Sequence, residues 1–231
     1  MSVQNEFSKH ANEYNTYNII QQLVAKSIVR DIKNKPKRVL ELGSGSGQIY
    51  KNISWDLDFY KAIDFSPSMC ALHPKANNVI VKCFDFDSQE FIDSIKNDNY
   101  DLILSASALQ WSKDLKKIVQ TLSLISKEMN VALFTSNTFK TIQKLSNKKS
   151  PILDIDTIKE AFLQYCNCEF EVFNYNLEFD NKKDLFNYIK KSGVSGGANK
   201  LSFKESKVLL KEYDLNYLEF EVIFIKAFSK S

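Results

Sequence analysis

The placement of glycine constrains this chain more than any other feature of its sequence. Six glycines occur in 231 residues, and they fall in two clusters: Gly43, Gly45 and Gly47, then Gly193, Gly196 and Gly197. Glycine this scarce is kept for backbone with positive φ, or for places where something approaches the main chain closely. The first cluster lies in Arg38-Val39-Leu40-Glu41-Leu42-Gly43-Ser44-Gly45-Ser46-Gly47-Gln48-Ile49. That is a short apolar strand carrying one acid, a glycine loop, and a helix start. Such a loop lets a ligand lie against bare backbone at the carboxyl end of a parallel strand. A nucleotide-like cofactor is the expected ligand.

The spacing narrows the ligand. A dinucleotide fingerprint, G-x-G-x-x-G, requires glycine at position 48, where this chain has Gln48. The loop instead reads G-x-G-x-G, with Glu41 two residues before its first glycine. A carboxylate there suits a cationic or donor-rich ligand better than a pyrophosphate, which needs N–H groups free of competing anions.

Apolar periodicity places short strands over 38–42, 59–63, 79–83, 101–105 and 131–135, with helices between them. Ser66 can cap a helix that has Pro67 at its first position, and Ser88 can cap another. Leu115, Ile118, Val119, Leu122 and Ile125 form a stripe at helical spacing. Two longer alternating strands follow, 169–179 and 218–228. The expected fold is α/β and Rossmann-like: a seven-stranded, mostly parallel sheet with an antiparallel edge pair and helices on both faces. The chain reads as a single domain over 1–231. Two pieces exceed a minimal cofactor domain and are expected to form a helical substrate lid: the N-terminal segment 1–33 and the insertion 181–213, which holds the second glycine cluster.

Composition excludes several classes. Hydrophobic residues make up 44% of the chain, enough for an ordinary core. No run of eighteen apolar residues and no charged-then-apolar leader is present, so no membrane role and a cytoplasmic location are expected. Cys70, Cys83, Cys166 and Cys168 form no C-x-x-C pair, and only His10 and His73 could assist them. No metal site is expected, and scattered thiols suit a reducing compartment. The charge balance is +3, with only Arg30 and Arg38 as arginines, which gives nucleic-acid binding little support.

Several side chains are candidates for chemistry. Asp64 ends the second strand, about where an acid reaches a ribose in doubly wound folds; the alternative is a local cap. Asp85 and Phe86 end the third strand. Small residues over 105–108, beginning at Ser105, leave space at the sheet's carboxyl edge, and Gln110-Trp111 then supplies an amide and an aromatic wall. Trp111 could equally be core.

The glycine loop resembles motif I of the class I S-adenosylmethionine methyltransferases, and Ile63-Asp64-Phe65-Ser66-Pro67-Ser68-Met69 resembles their motif II. Within that class, Phe7-Ser8-Lys9-His10-Ala11-Asn12-Glu13-Tyr14 and Ala108-Leu109-Gln110-Trp111 resemble segments of the malonyl-acyl-carrier-protein O-methyltransferases of biotin synthesis. The lysine- and glycine-bearing stretch 189–199 resembles their insertion loop, although it is longer and richer in glycine. The resemblance implies S-adenosyl-L-methionine as cofactor, held by Glu41, Gly43, Gly45, Gly47, Asp64, Met69, Asp85, Phe86 and Ser105. Glu41 would lie near the cofactor's cationic amino-acid end, Asp64 on the ribose, and Met69, Asp85 and Phe86 around the adenine. Met69 fits core packing as well.

The implied reaction is methylation of the free carboxylate of malonyl-acyl carrier protein, or of malonyl-CoA. Tyr14, Gln110 and Trp111 would be the catalytic side chains, with Tyr14 either closing over the reactants or merely packing the lid. Lys190 and Lys191 would hold the substrate's negative end, since neither arginine is well placed for it. Methylation of another small acid or a quinone precursor, and a catalytically silent cofactor-binding protein, are the alternatives. No histidine other than His10 is expected near the site.

Overall fold

The computed structural model describes residues 18–191 and 203–230. Tyr14, His10 and the second glycine cluster lie outside the described residues.

Among the described residues the first elements are α1 (Ile19–Arg30) and β1 (Arg38–Leu42). Strand and helix then alternate through α2 (Gln48–Asn52), β2 (Phe59–Asp64), α3 (Pro67–Leu72), β3 (Val79–Cys83), α4 (Gln89–Ile95) and β4 (Leu102–Ala106). A 3-10 turn (Leu109–Trp111), α5 (Leu115–Ser123), β5 (Glu128–Phe134), α6 (Lys140–Ser146) and α7 (Ile155–Leu163) follow. The last part is β6 (Cys166–Glu178), α8 (Lys182–Lys191), α9 (Phe203–Glu212) and β7 (Tyr217–Ser229). The two helices of the insertion therefore stand between the last two strands, as expected.

The seven strands form one sheet in the order β3-β2-β1-β4-β5-β7-β6. The first five are parallel; β7 runs antiparallel to both β5 and β6. The strand order reverses beside β1, the point where a doubly wound sheet opens a crevice for its ligand.

Successive side chains of a strand point to opposite faces, and β1 divides accordingly. Leu40 and Leu42 join the core formed with α4, α5 and α7, where the expected stripe of Leu115, Ile118, Val119, Leu122 and Ile125 is buried. Val39 joins the opposite core, where Ile20 and Val24 of α1, Leu185 and Tyr188 of α8, and Phe220 of β7 pack together. Glu41 has the same parity as Val39 and so faces the second side.

Local signals set the helix starts. The Ser66 hydroxyl accepts from the Met69 N–H with Pro67 at the first helical position, and the Ser88 hydroxyl accepts from Phe91. Asp101 fixes the entry of β1 from outside the strand, its carboxylate accepting from the Lys37 and Arg38 N–H groups at 2.8 Å each.

Candidate active site

The glycine loop is anchored at both ends. The Gly43 and Ser44 N–H groups both donate to the Ile63 carbonyl at the end of β2, at 2.8 and 3.0 Å. Gly43, Gly45 and Gly47 have φ of 68°, 52° and 80°, a region that side chains rarely tolerate. Their surroundings differ. A Cβ on Gly43 would stand 2.0 Å from the Ala108 Cβ, so this glycine brings the β4 end against the loop. A Cβ on Gly47 would meet Pro74 at 2.6 Å and the His73 ring at 2.9 Å, whereas one on Gly45 would meet nothing within 4 Å. The open side of the loop is at Gly45.

Asp64 holds that open glycine. One carboxylate oxygen accepts from the Gly45 N–H at 2.8 Å and the other from the Ser66 N–H at 2.9 Å. The carboxylate thus fastens the loop locally, and each oxygen keeps one further acceptor direction. Burial pushes its carboxyl up to about 6, partly offset by the two N–H donors.

An aspartate raised in the folded state is penalised there when ionised. That penalty is absent below the unfolded value of about 4 and develops as pH climbs to about 6. Ligand-free stability should therefore fall across this window, by on the order of 2–3 kcal/mol for this group. Asp64→Asn is expected to remove that fall in urea unfolding curves taken at several pH values. Parallel profiles for the two proteins would assign the titration elsewhere.

Other residues at the carboxyl edge have distinct placements. Met69 is fully buried, and Phe86 lies in the core against β1 and β2. Asp85 is exposed; it accepts from the Asp87 N–H and lies 3.9 Å from the Lys113 ammonium. Asp87, its neighbour, is engaged with Ser112 and the Lys113 N–H, tying the β3 loop to the β4 loop. The Ser105 hydroxyl donates to the Leu42 carbonyl at 2.9 Å, and the side chain is fully enclosed, so it links β4 to β1 at the base of the loop.

Beyond β4, Ser107 adopts a φ of 58°, unusual for a residue with a side chain. Its carbonyl accepts from the Gln110 amide at 2.8 Å, and its N–H donates to Ala132. The Gln110 Oε1, Ser107 Oγ and Ser44 Oγ atoms are buried and have no hydrogen-bond partner among the described residues. Trp111 is half-buried against the α1 side of the sheet. Lys190 and Lys191 are the last residues of α8, and their side chains fall outside the described set. Arg38 begins β1, at the opposite end of the strand from the glycine loop, with its guanidinium over the Phe59 ring.

Two findings differ from the sequence reading. The Glu41 carboxylate is enclosed beneath the loop, only 2% exposed, where it accepts from the Tyr60 hydroxyl. His73 lies there too, its Nε2 4.0 Å from Glu41. A histidine other than His10 therefore does stand at the site. Nothing local in the sequence marks it, because Glu41, Tyr60 and His73 meet only once β1, β2 and the end of α3 are assembled. Among the described residues no group of three or more His, Cys, Asp or Glu could hold a metal ion, and no helix is long and apolar enough to cross a membrane.

Residues 40–128 match the family described as "Methyltransferase domain". The YcgJ protein of Bacillus subtilis has a similar fold, with a TM-score of 0.65 at 13% identity over 92% of this chain and 99% of that one. The plantazolicin methyltransferase BpumL, solved with SAH, gives 0.56 at 15% identity over 96% of this chain and 93% of that one. Residues 40–128 are thus similar to a methyltransferase domain, and the fold is similar to that of a solved methyltransferase. The site suits S-adenosylmethionine as cofactor: it has an open glycine, an acid at the end of β2, and three buried side-chain oxygens without partners among the described residues.

Among curated relatives, a malonyl-[acyl-carrier protein] O-methyltransferase of Bacillus anthracis is 28% identical over 153 residues, 62% of this chain. The chain spans 55% of the length of that relative.

Proposed function

We propose that this chain methylates the free carboxylate of a small acyl thioester, with malonyl-acyl carrier protein as substrate and malonyl-CoA as the other carrier form. The observation that carries this reading is the approach of Ala108 to Gly43, which sets the uncharged stretch 107–111 beyond β4 beside the glycine loop. When bound, S-adenosylmethionine supplies an electrophilic methyl group on a sulfur that already bears the positive charge. A carboxylate is ionised at neutral pH and can attack without a general base, whereas an alcohol or amine would need one.

The chain's own residues bind and orient. Gly43, Gly45 and Gly47 bring the main chain close to the cofactor, Asp64 serves its ribose, and Met69, Phe86 and Asp85 flank its adenine. Ser105 supports the loop through Leu42. Gln110, with its free Oε1 held inward, and Trp111 border the reacting centre and limit water there. Tyr14 closes over the pair, and Lys190 and Lys191 at the end of α8 offer positive charge to the substrate. The names of the curated relatives support this choice of substrate.

The test is methyl transfer from labelled S-adenosylmethionine to malonyl-acyl carrier protein, malonyl-CoA and free malonate in parallel. A base-labile ester on the malonyl thioester is the expected product. Cofactor binding with no such ester would remove this substrate and leave another small acid or a quinone precursor as acceptor.

A further inference from the structure

Beneath the glycine loop lies a buried polar cluster with no part in the reading above. Glu41 of β1, Tyr60 of β2 and His73 at the end of α3 are each no more than 2% exposed. The Tyr60 hydroxyl donates to a Glu41 oxygen. His73 Nδ1 lies 2.9 Å from the Pro74 carbonyl, an acceptor only, so Nδ1 carries a proton. Nε2 then faces Glu41 across 4.0 Å, enclosed and without a hydrogen-bond partner among the described residues.

This geometry fixes the number of protons. With Glu41 ionised and His73 neutral, a buried anion would face a bare lone pair, each lacking a donor from the other. One additional proton, on Nε2 or on the carboxyl, removes that repulsion and leaves the two groups attracting each other across 4.0 Å. Burial raises Glu41 from its ordinary value, in keeping with a proton retained there.

The pair also touches the cofactor loop. The His73 ring and Pro74 lie against Gly47, where a Cβ would come within 3.0 Å of His73 Nε2 and 2.6 Å of Pro74. Gly47 in turn closes the loop, its N–H donating to the Ser44 carbonyl at 2.8 Å. The charges of Glu41 and His73 both reach Asp64, which holds Gly45.

We infer that Glu41 and His73 are a positioning pair for the cofactor loop, sharing one proton that keeps Gly47 and Gly45 in place, and that cofactor affinity falls once the pair loses it. Glu41 acts on the cofactor through the loop and not as the counter-ion of its amino-acid end. The titratable groups facing the pair are Tyr60 from β2, Asp64 at the end of β2 and Tyr50 from α2, whose ring lies 5.0 Å from Tyr60 and 5.6 Å from His73. Asp64 titrates on the acid side, at about 6, so it is separable from an alkaline limb.

The experiment is calorimetric titration of the full chain with S-adenosylhomocysteine from roughly pH 6 to pH 9, which needs no acyl substrate and stands whatever the methyl acceptor is. Wild type should lose affinity at the alkaline end, by about tenfold or more. Glu41→Gln turns an amide N–H toward Nε2 at every pH, and His73→Gln turns one toward ionised Glu41, so neither variant depends on the shared proton. Each variant should lack the alkaline fall, judged against wild type in the same buffers. A wild type with no such fall overturns the inference. So do variants that retain it, and so does a Glu41→Gln protein about tenfold weaker at every pH, the mark of a direct counter-ion. Thermal unfolding at each pH identifies a variant that fails to fold, and the other variant then decides.

Discussion

Gly45→Val is expected to fold and yet lose S-adenosylhomocysteine binding by about a hundredfold or more, equivalent to roughly 3 kcal/mol. The space around this glycine is open, so the protein itself has nothing to clash with valine. The open space is what a cofactor would occupy, and the new side chain would fill it. The φ of 52° adds backbone strain of about 1–3 kcal/mol, a cost to stability that leaves a folded protein. Gly43→Val should behave in the opposite way. Its Cβ would sit 2.0 Å from Ala108 at a φ of 68°, so β1 and the β4 end could not both keep their places. Chemical unfolding beside calorimetry separates the two. Normal binding by Gly45→Val would place the cofactor elsewhere than this loop.

The second large effect is on stability. Phe220 of β7 is 1% exposed and packs its ring against Phe134, Phe139 and Tyr188, at centroid distances of 5.8, 5.0 and 6.2 Å. It joins β5, the start of α6 and α8 in one cluster. Phe220→Ala should cost about 3–5 kcal/mol, the usual price of an aromatic cavity, or about 10 °C in Tm for a chain of this length. Phe139 has a φ of 60°, and loss of the ring that pins it should make this cavity hard to close. A loss below about 1 kcal/mol would mean that α8 does not pack on β7.

Much of the fold was legible because its signals are local. Strands β1 and β3 fall where the apolar runs put them, and Ser66 and Ser88 cap helices with their own hydroxyls. Strand β5 begins three residues earlier than the apolar run, at Glu128, because ladder pairing with β4 and β7 carries the polar residues Glu128 and Asn130. Strand β4 starts at Leu102, since the Asp101 carboxylate is spent on the N–H groups at the start of β1. The site was legible as a glycine loop with an acid near the carboxyl end of each of the first two strands. The directions of its carboxylates were not. Whether Glu41 meets a ligand or a neighbour depends on Tyr60 and His73, and whether Asp64 is free depends on the Gly45 N–H. Ser105 likewise looked like pocket lining, yet its hydroxyl belongs to Leu42.

Strand order also sets an order of assembly. Strands β1 to β5 and the glycine loop are complete once the chain reaches Phe134, so the cofactor half has all its parts early in synthesis. Strand β6 is made next but has no ladder partner except β7, which is made last of the seven and wedges between β5 and β6. Until residues 217–229 leave the ribosome, two long edges wait unpaired, and such edges invite pairing with other chains. A nascent chain stalled between β6 and β7 would therefore be the form most prone to aggregate, while its cofactor loop could already be folded.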